Sequence, residues 1–172
     1  ITSFHKSNLG VNRYKKFEHI NLSILKIPYD INIGKVLSDK FSNYVINEVV
    51  NAKWINGAEK FLQLNYNYKN LLMFSATPHT ELKLILEKRK MLHYFKDIKG
   101  APTSKKKILS NLISFYKLNK KDCLVVGDSM SDYNVAKFFD IDFIGISSVN
   151  NHNFPLKTVV IDDIMKLKDF VT

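Results

Sequence analysis

The chain has 172 residues, 45% of them apolar, so it can bury one good core with a small appended module and is not a disordered segment. Its 26 Lys and Arg against 16 Asp and Glu leave a formal charge of +10, but the lysines are scattered along helical faces and no tract is long, so no nucleic-acid partner is expected. No apolar run approaches the ~20 residues that span a bilayer, no signal-peptide pattern opens the chain, and the lone Cys123 excludes an internal disulfide; a cytoplasmic protein with no membrane partner is expected.

Residues 1–52 read as a small helical unit. Gly10 is a loop residue, and Asn12 is a candidate cap for a helix opening at Arg13. Tyr14, Phe17, Ile20, Leu22, Ile24 and Leu25 recur at roughly helical spacing until Pro28 stops or bends the run. Ser38 is the next candidate cap, before a helix whose inner face carries Phe41, Tyr44, Val45, Val49 and Ala52.

From residue 53 to 172 the pattern changes. Ala58–Leu64 is a short helix. Leu71–Phe74 is an apolar strand that stops at Ser75-Ala76-Thr77-Pro78, and Thr80–Lys90 is an amphipathic helix. A short strand over Phe95–Gly100, a loop Gly100–Ser104 and a helix Lys105–Tyr116 follow. Cys123–Val126 is a β-branched strand with Cys123 as a buried small hydrophobe, ended by Gly127 and followed by a helix to Phe139. Phe143–Ile146 and Thr158–Ile161 are further strands around a polar loop Asn150–Phe154, and Asp162–Phe170 is a last helix. Alternating helices and strands predict a doubly wound parallel α/β sheet. Its strands then end on one edge, where such folds bind ligands.

Three loops meet on that edge. Gly127-Asp128-Ser129-Met130-Ser131-Asp132 carries two carboxylates suited to a hard divalent cation. Taken alone, the same loop also fits a capping Asp128 and a solvated first-turn Asp132. Ser75 ends one strand and Lys105 opens one helix. A hydroxyl, a lysine and two carboxylates together suit phosphoryl transfer: the lysine and the hydroxyl stabilise phosphoryl oxygens, and the carboxylates hold Mg²⁺.

These three stretches, Leu71–Pro78, Gly100–Lys105 and Val125–Asp132, resemble the haloacid dehalogenase superfamily, and more narrowly its phosphoglycolate-phosphatase-like branch with a helical cap. The resemblance implies a Rossmann-like α/β core over 53–172 and a cap over 1–52. It implies a Mg²⁺-dependent phosphatase of a small phosphorylated metabolite, acting as a monomer or homodimer. Ser75 matches the family's strand-end hydroxyl, and Lys105 its lysine, with Lys106 and Lys107 as register alternatives. Asp128 and Asp132 match its acidic pair as metal ligands, Asp132 alternatively orienting Lys105. Ser75, Ala76 and Lys105 would bind the phosphate. Gly10-Val11-Asn12-Arg13 resembles the cap's substrate-facing loop, so Arg13 is a candidate for an anionic substrate group, or else a structural or solvated arginine.

The family's first motif is a strand followed by Asp-x-Asp, carrying the nucleophile and the general acid/base. No predicted strand here is followed by that pair, and neither Asp30 nor Asp39 fits it. The first core strand is expected upstream of Ile1, with a separate chain or a catalytically inactive phosphate-binding or regulatory member as the alternatives. Phosphomutase or dehalogenase chemistry on the same fold is a further alternative, the two acids arguing against the latter.

Overall fold

A computed structural model describes residues 1–8, 10–148 and 153–171. The described residues up to Asn51 are mostly helical: α1 (Thr2–Ser7), α2 (Arg13–His19), a π-helical turn over Ile20–Leu25, and α3 (Ile31–Asn51). Asn12 caps α2 as expected, accepting from the Tyr14 amide at 2.8 Å. The expected cap at Ser38 is displaced. Helix α3 opens eight residues earlier because the Asp30 carboxylate accepts from both the Asn32 and Ile33 amides at 2.8 Å, satisfying two of the orphan donors. Ser38 lies inside the helix and is buried.

The α/β part follows in the predicted order: α4 (Ala58–Asn65), β1 (Leu72–Pro78), α5 (His79–Lys88), β2 (Asp97–Ala101), α6 (Lys105–Tyr116), β3 (Leu124–Gly127), α7 (Met130–Phe139), β4 (Asp142–Ile146) and β5 (Val160–Ile161). The final helical segment, Ile164–Asp169, is a 3₁₀ helix. The loop expected over Asn150–Phe154 lies largely outside the described residues. Cys123 precedes β3 and is half-buried rather than buried in it, with its thiol near the Asn119 carbonyl oxygen at 3.2 Å; burial pushes the thiol pKa up.

All pairings among the described residues are parallel. They form two sheets, β1-β2 and β3-β4-β5, and no ladder joins β1 to β3. Helices α6 and α7 cover one face of the larger sheet through Leu109, Val125, Val135, Ala136 and Phe143, against which Phe74 of β1 also packs. Phe61 of α4 and Leu167 cover the other face with Ile144, Ile146 and Ile161. Helix α5 covers β1-β2 through Leu82, Leu86 and Ile98. Both faces are thus shielded, as a parallel sheet requires.

The N-terminal helices dock on α5. Residues Ser42 and Val49–Ala52 of the α3 region lie beside the beginning and end of α5 respectively. Arg89, just past α5, donates to the carbonyls of Val49, Val50 and Ala52 at 2.7–3.0 Å, closing the carboxyl end of α3. Its guanidinium sits 4.9 Å from the Trp54 ring centre.

Candidate active site

A cleft of about 550 Å³ lies between the N-terminal helices and the strand ends. One wall carries Ser75, Ala76, Thr77, Lys105 and Asp128; the other carries His5, Val11, Arg13, Lys16, Phe17 and Phe41, among others.

The first wall starts at β1. The strand was expected to stop at Phe74 but continues to Pro78, with an irregularity in its pairing. Phe74 pairs with Lys99 and Pro78 with Ala101, so two extra residues of β1 bulge over Ser75–Thr77. The bulge takes these backbone groups out of the regular ladder where they face the cleft. The Ser75 hydroxyl accepts from the Thr77 amide and donates to the Thr77 hydroxyl, each at 3.1 Å. Thr77 escaped the sequence reading because a bulge in the pairing with β2 cannot be seen in a one-dimensional pattern.

Lys105 is the first residue of α6, whose cap is Ser104. Its ammonium donates to Asp132 Oδ1 at 2.7 Å, with the side chains 11% and 9% exposed. The Ser129 hydroxyl donates to the second oxygen, Asp132 Oδ2, at 2.6 Å. The residue that caps α7 is Ser129, not Asp128. Asp132 is neither solvated nor on the cleft surface: it sits behind Lys105 with both oxygens occupied. Gly127 permits this, since a Cβ there would lie 2.6 Å from Asp132 Cβ and Cγ. Asp128 is exposed on the cleft and has no hydrogen-bond or ion-pair partner among the described residues.

These residues fit a Mg²⁺ ion of the kind held by one or two carboxylates, waters and a phosphate oxygen. Asp128 offers a free carboxylate, whereas Asp132 is committed to Lys105 and Ser129. No cluster of three or more His, Cys, Asp or Glu gathers among the described residues. Asp140-Ile141-Asp142 has the Asp-x-Asp spacing, but it ends α7 and opens β4, at the amino end of the strand, and neither acid lines the cleft.

On the opposite wall, Arg13 reaches the cleft, yet its guanidinium is engaged. It forms a two-pronged ion pair with Glu81 of α5, at 2.7 and 2.8 Å, with side chains 11% and 7% exposed. It also donates to the Ser42 hydroxyl at 2.8 Å and lies 4.7 Å from the Phe41 ring centre. Ser42 in turn donates to Glu81. Glu81 looks in sequence like an ordinary first-turn acid, so nothing there marks it as a partner for a residue 68 positions away. The Gly10 loop closes the cleft from the same side. Its φ of +79° suits glycine, and a Cβ would lie 2.5 Å from the Ser129 hydroxyl, so this loop rests directly on the acidic loop.

No protein-family model and no curated protein sequence matches the chain. Solved structures do. A Clostridium acetobutylicum protein described as a phosphatase superposes with a TM-score of 0.75 at 20% identity, over 98% of this chain and 80% of that one. A β-phosphoglucomutase from Clostridium difficile gives 0.75 at 15% identity, over 97% and 78%. A haloacid dehalogenase-like hydrolase from Streptococcus pneumoniae gives 0.71 at 14% identity, over 94% and 78%. The chain therefore has the haloacid dehalogenase-like fold that its three motifs resemble. No helix among the described residues is long and apolar enough to cross a membrane.

Proposed function

We propose that this protein is a Mg²⁺-dependent phosphatase of the haloacid dehalogenase type, acting on a small phosphorylated metabolite. The observation that carries the reading is the first wall of the cleft. A lysine held by a buried carboxylate, a bulged strand end with a hydroxyl, and an unpartnered carboxylate converge at the carboxyl ends of parallel strands. In this reading Lys105 and Ser75, with the Ala76 amide, take up charge on the phosphoryl oxygens. Asp128 would hold Mg²⁺, which neutralises phosphate charge when bound. Asp132 keeps Lys105 aimed. The helices of 1–52 act as the cap over a core of 53–172.

The nucleophile is proposed to be an aspartate outside these 172 residues, on a strand lying between β1 and β3. Two features support that place. β4, paired on both sides, buries Phe143, Ile144, Gly145 and Ile146, whereas β1 is half-buried along its whole length. Val126, in the middle of apolar β3, is 37% exposed. Both strands thus behave as edges, although each belongs in the interior of a doubly wound sheet. A strand between them would deliver its carboxyl end to the cleft. Its aspartate would attack phosphorus, expelling the alcohol, and water would then hydrolyse the acyl-phosphate.

The test is hydrolysis of a panel of small phosphate esters by the protein as the cell makes it, with Mg²⁺ and with EDTA. Mg²⁺-dependent release of inorganic phosphate is expected. Tight, Mg²⁺-dependent phosphate binding without turnover would overturn the phosphatase reading in favour of a binding protein. Transfer of phosphate between two positions of a sugar would overturn it in favour of a mutase.

A further inference from the structure

We infer that the helical wall of the cleft receives an apolar ring, so that the substrate class is the phosphate ester of an apolar, ring-bearing alcohol rather than of a polyhydroxy sugar. The inference rests on the phosphatase reading above and deepens it.

It follows from the contrast between the two walls of one cleft. The wall of the strand ends carries Ser75, Lys105 and Asp128, which suit a phosphate and its cation. Whatever the phosphate is attached to then meets the helical wall. There Phe17 and Ile20 lie one turn apart, on the stripe of α2 that Arg13 begins, and Val11 and Phe41 line the cleft with them. The Phe17 and Phe41 rings meet edge to face, with 6.2 Å between their centres. Phe41 is 38% exposed, yet its ring is held: the Arg13 guanidinium lies over it at 4.7 Å and is itself fixed by Glu81. A held, exposed aromatic lining a cleft is a ready contact for another apolar group. The polar groups of the wall offer little to a sugar. The Arg13 guanidinium is spent on Glu81 and Ser42, and Thr2 and His5 belong to α1 rather than to the α2 and α3 surface. Lys16, next to Phe17, is half-buried, and burial lowers its pKa, which marks this surface as a poor solvent for charge. Sugar hydroxyls placed here would lose water without gaining matching partners, whereas an apolar ring gains from all the apolar surface it covers.

The experiment uses benzyl phosphate, cyclohexylmethyl phosphate and glucose 6-phosphate, which share a six-membered ring bearing a methylene phosphate and differ in the ring's polarity. Release of inorganic phosphate is followed with Mg²⁺ on the protein as the cell makes it, and dissociation constants are measured by calorimetry. The kcat/KM should favour an apolar ester over glucose 6-phosphate by roughly tenfold or more, the effect of covering an apolar ring. The better of the two apolar esters tells an aromatic from an alicyclic group. Phe41→Ser should lower that preference by roughly threefold or more, and Phe41→Leu, which keeps an apolar side chain, should retain most of it. Phe17→Ser should act in the same direction; should it melt early, the two Phe41 variants give the readout. Equal use of all three esters, a preference for the sugar, or an apolar preference that Phe41→Ser leaves unchanged overturns this inference and leaves the phosphatase reading standing. Binding of the esters without release of phosphate overturns the phosphatase reading, and the ratio of dissociation constants then decides this inference separately. Neither binding nor release with any of the three overturns both.

Discussion

Two buried ion pairs among the described residues share a contact distance of 2.7 Å and have quite different consequences. Lys105–Asp132 lies within the α/β core, and the two residues are 27 positions apart. Arg13–Glu81 joins the N-terminal helices to α5 across 68 positions. In the first, the carboxylate is hidden and the cation reaches the cleft, so the pair presents a positioned charge. In the second, the guanidinium is gripped on several sides by Glu81, Ser42 and Phe41, so the pair is spent on docking one part of the molecule onto another. An arginine and a lysine that both line the same cleft therefore do unlike work, and the difference lies in how many of their donors are already taken.

The largest effect expected is on stability, from breaking the docking pair on one side. Glu81→Gln leaves a buried guanidinium without its counter-charge and should cost about 3–5 kcal/mol. The Arg13→Met/Glu81→Met double variant should lose less than the sum of the single changes, since neither charge is then stranded. Urea melts of the unaltered protein, Glu81→Gln, Arg13→Met, Glu81→Met and the double variant measure this. Strict additivity would mean that the pair does not hold the helices down.

The core pair is broken at the other level, in catalysis. Lys105→Met should lower Mg²⁺-dependent turnover by about a hundredfold or more, as loss of a preorganised charge stabiliser does. Asp128→Asn should abolish Mg²⁺-dependent turnover with little change in melting temperature, because Asp128 is exposed and unpartnered among the described residues. Near-normal kcat in both variants would remove this wall of the cleft from the chemistry. By contrast, Glu81→Gln, wherever it remains folded, should leave the affinity for inorganic phosphate nearly unchanged.

The comparison also separates what is legible in a sequence from what is not. Strand and helix positions from Ala58 onward follow local apolar runs and breakers, and the structure departs from them by a few residues. The members of the acidic loop are neighbours in sequence, so Gly127-Asp128 and Asp132 could be read together, and Lys105 joined them through the common edge of a parallel sheet. The partner of Arg13 could not be found that way. Glu81 has no local signature, and its role exists only once α2, α3 and α5 are stacked. The same holds for Ser38, which has a capping side chain but lost the cap to Asp30, and for the bulge at Ser75–Thr77, which depends on the register with β2.

A smaller prediction sharpens the contact between the two halves. Gly10→Ala forces an L-residue into φ +79° and brings its Cβ to 2.5 Å from the Ser129 hydroxyl. A cost of about 1–3 kcal/mol is expected. Adding Ser129→Ala removes the nearest atom but not the positive φ or the 3.0 Å approach to Ser129 Cβ, so the relief should be partial. Complete relief would show that the strain lies in the hydroxyl contact alone.

Ser129→Ala by itself should have the smallest effect, and its size is informative. Ser129 caps α7 and donates to Asp132 Oδ2, whereas Lys105 is bound to Oδ1. Losing the cap and one of two bonds to a buried carboxylate should cost about 1–2 kcal/mol of stability. The remaining Lys105–Asp132 bond still sets where the ammonium points, so kcat should fall far less than in Lys105→Met. A variant that melts as expected but loses turnover as fully as Lys105→Met would move the positioning role from the ion pair to the hydroxyl. The aim of Lys105 would then depend on how Asp132 is turned rather than on its charge.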